Sequence, residues 1–207
     1  MIKHTGYIPG GGLISPNRDI FYLNIPKNAS TYLSNLLLAN NWLHWNILTD
    51  PVTVTYSIAF LRDPVDRWIS GFGTYTALHL CGYGYGSDHF VNDYNDLSER
   101  LIFNQVILDD HTDLQTEFVN QIALHNPVYL RYNKSLVEQL NSILNKNLNT
   151  NVIVDANYTD SNYDTKQISQ FIKNKLQEKP ELKAKVVAAY QKDYDFIRST
   201  EFYNDPR

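Results

Sequence analysis

Between Lys3 and Lys134 the chain carries one lysine, Lys27, which stands in Pro26-Lys27-Asn28-Ala29-Ser30-Thr31. The apolar run before this segment stops at Pro26, and apolar residues at helical spacing follow it from Ser30. A helix that begins there turns unbonded N–H groups and the positive end of its dipole toward the preceding loop, and a lysine adds a full charge beside them. The chemistry of such a loop is to hold phosphate or sulfate. Read in isolation, the same residues are an ordinary helix start with a solvated lysine. The glycines of a nucleoside-triphosphatase loop are missing, and Lys27 precedes Ser30 by three residues instead of one, which disfavours an ATPase or GTPase.

A second segment, Arg62-Asp63-Pro64-Val65-Asp66-Arg67-Trp68-Ile69-Ser70-Gly71, also follows an apolar run. An arginine at a strand end offers paired, charge-assisted donors, and Ser70, about two helical turns later, is placed to reach the same phosphate. Asp63 and Asp66 are candidates to cap the helix and orient Arg62 or Arg67. Taken alone, this segment reads equally well as a helix start with an internal ion pair. A general base for a hydroxyl acceptor is best supplied by histidine, whose pKa lies near neutrality. His44, in Trp42-Leu43-His44-Trp45, lies between the two anion-binding segments; its flanking tryptophans either restrict water around a working imidazole or simply pack it. His111 is the competitor, with helix capping as its structural alternative.

The elements that must position these residues follow from the hydrophobic periods. Residues 1–18 read as an irregular lead-in. Ile20 to Ile25 reads as a buried strand and Ser30 to Asn40 as a helix; Val52 to Leu61 repeats the strand, and Val65 to Phe72 the helix. Two close strand-to-helix transitions predict an α/β fold: a single domain, residues 19–207, with a central parallel sheet flanked by helices. Both anion segments then lie at the carboxyl edge of the strands, where ligands of open α/β sheets bind. Gly71 to Gly86, rich in glycine and tyrosine, reads as a mobile aromatic loop. Helices are predicted over 97–108, 114–124, 135–144, 168–176 and 181–197, and strands over 128–132 and 151–154.

Composition sets the outer limits. The 18 basic and 22 acidic residues give a net charge of −4, so no overall field draws the chain onto nucleic acid or an anionic membrane, and no nucleic-acid partner is expected. No stretch approaches the ~20 apolar residues of a transmembrane segment. The single cysteine, Cys81, excludes an intrachain disulfide and a Cys-rich zinc cage. With no apolar signal core over Met1 to Gly6, a cytoplasmic location is expected.

Taken together, Ile25 to Thr31 resembles the 5′-phosphosulfate loop of the sulfotransferases, and Leu61 to Phe72 resembles their 3′-phosphate motif. His111 to Gln115 is similar to the His-x-x-x-Gln segment of the carbohydrate (Golgi-type) branch, without its usual aromatic and proline. Asp155 to Thr159 and Tyr190 to Phe196 resemble later segments of that branch. The resemblance implies a metal-free transfer of a sulfuryl group from 3′-phosphoadenosine 5′-phosphosulfate (PAPS, leaving PAP) to a hydroxyl or amine. It implies that Lys27 neutralises charge on the bridging and leaving oxygens, that Pro26, Asn28, Ala29, Ser30 and Thr31 form the cradle of the 5′ end, and that Arg62 and Ser70 hold the 3′-phosphate. Carbohydrate sulfotransferases similar to this chain keep a catalytic histidine where His44 lies. The scarcity of basic residues before Asn133, with Trp42, Trp45, Trp68, Tyr75, Tyr83 and Tyr85 at hand, leads to the expectation of a neutral glycan or small-molecule acceptor stacked on aromatic faces. The rival readings are a nucleotide-binding module without catalysis and a small kinase, for which a glycine-rich phosphate loop and a magnesium carboxylate are lacking.

Overall fold

The computed structural model describes residues 11–48, 50, 52–79, 102–121, 124–151 and 163–203. It is an α/β fold whose contacts divide into two compact units, Met1–Asp63 with Gln115–Val154 and Asp195–Arg207, and Pro64–Leu114 with Asp155–Tyr194. Among the described residues no helix is long and apolar enough to cross a membrane.

The first unit holds a five-stranded sheet built from β1 (Gly12–Ile14), β2 (Ile20–Leu23), β3 (Leu43–His44), β4 (Tyr56–Leu61) and β5 (Pro127–Arg131), in the order β3-β1-β2-β4-β5. The pairs β2–β4 and β4–β5 are parallel, whereas β1 pairs antiparallel with both β2 and β3. The sheet is therefore mixed, which corrects the expectation of a parallel one. The reason lies in residues read as an irregular lead-in. Three strand residues are too few to show a period, and the short link from Ile14 to Ile20 joins neighbours only in antiparallel sense. That link is tied by Ser15, whose Oγ donates to Asp19 Oδ1 at 2.6 Å and accepts the N–H of Asp19 at 3.1 Å and of Ile20 at 3.0 Å.

Alternation along the strands gives the sheet two apolar faces. Ile14, Phe21, Leu23, Ala59 and Leu61 pack with Trp45, Leu48 and with Phe118 and Val119 of α3 (Gln115–Gln121). Leu13, Tyr22, Ile58, Phe60 and Leu130 pack against Leu33, Leu36 and Leu37 of α1 (Ser30–Ala39) and Leu140 of α4 (Leu136–Leu144). A strand covered on both sides needs a nearly continuous apolar run, and Ile58-Ala59-Phe60-Leu61 supplies it. Beyond β5, Phe202 bridges Tyr129 and the N–H of Tyr203 donates to the Tyr129 carbonyl at 3.0 Å.

The second unit is helical: α2 (Pro64–His79), α5 (Tyr163–Glu178), α6 (Pro180–Ala189) and the first residues of α7 (Gln191–Ser199), whose later residues belong to the first unit. Val65, Trp68, Phe72, Ile168, Ile172, Leu182, Val186 and Tyr190 form its core. The helix predicted to stop at Phe72 runs on through Gly71 and Gly73, into the segment read as a loop. Glycine weakens a helix by roughly 1 kcal/mol relative to alanine, but here it permits close packing. A Cβ on Gly71 would lie 2.0 Å from the His111 carbonyl oxygen, and one on Gly73 would lie 2.3 Å from Ser169 Oγ. Residues 105–114, predicted partly as helix, form an irregular turn, and the helix predicted over 181–197 breaks at Tyr190. The strand predicted over 151–154, apart from Asn151, lies outside the described residues, as do Tyr83 and Tyr85.

Candidate functional site

β2 ends at Leu23, and Pro26, which has no N–H to give a ladder, opens the loop that carries Lys27. Lys27 at φ 69° and Ala29 at φ 58° both occupy the left-handed region, while Asn28 between them does not. Each left-handed non-glycine residue costs on the order of 1–2 kcal/mol, so tertiary contacts must hold the turn. An alternation of this kind is suited to gathering backbone N–H groups around an anion; here the Asn28 N–H is taken by the Ile25 carbonyl at 3.2 Å, and those of Ala29, Ser30 and Thr31 follow it. The start of α1 complements it: no side chain caps the helix and its first turn has no acidic residue.

The contacts that hold the turn run through two buried carboxamides. Asn28, 1% exposed, donates from Nδ2 to the Phe60 carbonyl at 2.7 Å and to Gln115 Oε1 at 2.7 Å. Asn28 Oδ1 has no partner among the described residues. The same Gln115 oxygen accepts the Arg62 N–H at 2.9 Å, and Gln115 Nε2 donates to the Arg62 carbonyl at 2.9 Å. From the end of β4 the Arg62 guanidinium donates to the Lys27 carbonyl at 2.9 Å and lies 4.6 Å from the centre of the Tyr132 ring. No carboxylate of the described residues pairs with Arg62, so its charge is available to an anion. Lys27, Asn28 and Arg62 are thus brought together, with Ser30 and Thr31 following in α1. Tyr132 was not singled out from sequence, and Gln115 was named only as the last residue of the His-x-x-x-Gln segment, with no role given to it.

His44 lies elsewhere in this unit. The chain after α1 returns to β1, on the side of β2 away from β4 and so away from the strand carrying Arg62. Through Leu13, His44 is level with Tyr22, two strand spacings or roughly 10 Å to its side, short of the loop. His44 is exposed, while Trp42 and Trp45 on either side are buried. Trp68 is buried too, so none of the three tryptophans offers a stacking face, which corrects that expectation. Trp45 packs edge-on against Phe21 at 5.0 Å, and Trp68 Nε1 donates to the Val106 carbonyl at 3.0 Å.

Ser70 and His111 belong to the second unit. Ser70 is half-buried on α2, and its carbonyl accepts from Thr74 Oγ1 at 3.1 Å. Arg67 is fully buried and donates to the Asp113 carbonyl, so this arginine clamps the 109–113 turn. The Tyr190 hydroxyl donates to the Thr112 carbonyl in the same turn; burial raises the phenol pKa, with Arg67 opposing. Thr112 Oγ1 accepts the N–H groups of Leu108 at 2.8 Å and Asp109 at 2.9 Å. On this turn His111 Nδ1 lies 2.9 Å from Asp109 Oδ2 and 3.1 Å from Asp110 Oδ1. Partial burial works against the Asp109 carboxylate, but the hydrogen bonds and charge of His111, with the Thr112 hydroxyl, outweigh it and hold its pKa below the ordinary value. An imidazole whose Nδ1–H faces carboxylates keeps its basic lone pair on Nε2. The three side chains bring cation-binding atoms within 4.8 Å of one another, a spacing that the turn itself imposes.

Against this geometry, no family model, no curated protein and no solved structure matches the chain.

Proposed function

We propose that this chain is a PAPS-dependent sulfotransferase, with the 26–31 loop and Arg62 as the core of its donor site. The observation that carries the reading is the bond from the Arg62 guanidinium to the Lys27 carbonyl, which ties two sulfotransferase-like segments together. They stand at the ends of β2 and β4, adjacent parallel strands, where an open α/β sheet offers its ligand crevice. The left-handed turns at Lys27 and Ala29 suit an anion independently of the resemblance.

In this reading PAPS supplies an activated sulfuryl group. The backbone N–H groups of Ala29 to Thr31 cradle the 5′ end, Lys27 offsets charge on the leaving oxygens, and Arg62 holds the 3′-phosphate. The proposed share of Ser70 in that phosphate rests on the motif. Transfer between oxygens needs alignment and charge stabilisation more than covalent help from the protein. His44 and His111 are the two candidates for taking the acceptor proton, and Asp109 holds the imidazole of His111. With so few cations in the first two thirds of the chain, and Arg62 and Lys27 engaged by the donor, the acceptor is a neutral glycan or small alcohol.

The test is calorimetry with PAP, ATP and NAD, followed by transfer of labelled sulfuryl from PAPS to a panel of alcohols and glycans. PAP should bind selectively, and Arg62→Ala should weaken it by about 2–5 kcal/mol if the phosphate is desolvated. Binding of ATP with magnesium in preference to PAP sinks the proposal; selective PAP binding without turnover on any acceptor favours a module that has lost catalysis.

A further inference from the structure

Gln115, the first residue of α3, is buried at the centre of the contacts around the loop. Its carboxamide does to Arg62 what a neighbouring strand would do, accepting from the main-chain N–H and donating to the main-chain carbonyl, both at 2.9 Å. Its oxygen also takes one N–H of Asn28, whose other N–H is spent on Phe60. A carboxamide donates and accepts within one plane without charge. A carboxylate of the same shape loses the donor and adds a negative charge beside an anion-binding loop.

We infer that Gln115 is a positioning residue for the anion loop. It fixes the spacing between the N–H groups of residues 29–31 and the Arg62 guanidinium, so that an anion meets both without rearrangement of either. The inference rests on the reading of that loop as an anion site. It adds to it the residue that preorganises the site, and preorganised donors bind better than donors that must be gathered.

Inorganic sulfate, whose charge is constant between about pH 5 and pH 8, is the probe. It is titrated into labelled wild-type chain, Gln115→Glu and Gln115→Met, with the amide signals of Asn28 to Thr31 as the readout and the full amide spectrum as the check on folding. At about pH 8, Gln115→Glu should bind sulfate roughly ten-fold more weakly than wild type, the scale of one hydrogen bond in a charged site. At about pH 5 the buried carboxyl takes up a proton, again donates and accepts, and recovers most of that loss relative to wild type. Gln115→Met should stay weak at both. One folded variant compared at two pH values separates positioning from a general loss of structure. Sulfate affinity that is unchanged in both variants overturns the inference, as does a wild-type chain whose Asn28 to Thr31 signals ignore sulfate. The donor reading fails separately: sulfate binding that depends on Gln115, with PAP binding no tighter than sulfate, upholds the positioning role and removes the nucleotide.

Discussion

In the loop that carries Lys27, the side chains that set the geometry are neutral: Asn28 and Gln115 pass hydrogen bonds from Phe60 to Arg62 without a formal charge. In the turn that carries His111, two carboxylates stand against the imidazole and a buried arginine clamps the backbone. The first arrangement holds its geometry with groups that carry no charge, and no carboxylate of the described residues pairs with Arg62. The second spends charge on holding one ring and depends on the ionisation of Asp109. Amides suit a site that must present positive charge; carboxylates suit one that must aim a proton acceptor.

The largest expected effect breaks the comparison at Lys27. Lys27→Ala keeps a Cβ at the left-handed position, so the turn should survive, while sulfuryl transfer should fall by about 10³-fold, the scale of losing a charge-stabilising donor in a water-poor site. A melting temperature equal to wild type with near-normal kcat would show that the loop has no part in catalysis. The histidines come next. His111→Ala should lower kcat by about 10²-fold or more with PAP affinity unchanged, and His44→Ala should leave both nearly intact. The reverse pattern moves the base to the edge strand β3 without disturbing the donor site.

Gly71→Ala tests the turn from its packing side. The added methyl meets the His111 carbonyl, and overpacking of this kind should cost about 1–3 kcal/mol, read as a lower melting temperature. An unchanged midpoint would show that the turn yields freely. The smallest effect is the pH dependence of Asp109. Its folded pKa is depressed, so its contribution to stability is complete above the ordinary value of 3.8 and is lost as pH falls through the lower folded value. Acid unfolding of Asp109→Asn should lack this component, whereas Gln115→Asn, which disturbs the neutral network, should shift stability equally at all pH values. An acid profile of Asp109→Asn that parallels wild type would remove the charge contrast between the two regions.

Local patterns along the chain determined the strand, loop and helix from Ile20 to Ala39, the strand and helix on either side of Arg62, and the segments that carry Lys27 and Arg62. A period of two or 3.6 residues, a proline that ends a ladder and a helix start with a lysine before it are written within a few neighbours. What distant residues do to one another was not written there. The antiparallel β1, the edge position of His44, the burial of all three tryptophans and the close packing at Gly71 each depend on a partner from another segment. Asn28 and Gln115 are 87 positions apart, and no local period relates them. Only the folded chain decides that two neutral amides meet behind the loop, because a buried hydrogen-bonding group takes its partner from whatever the packing brings within reach.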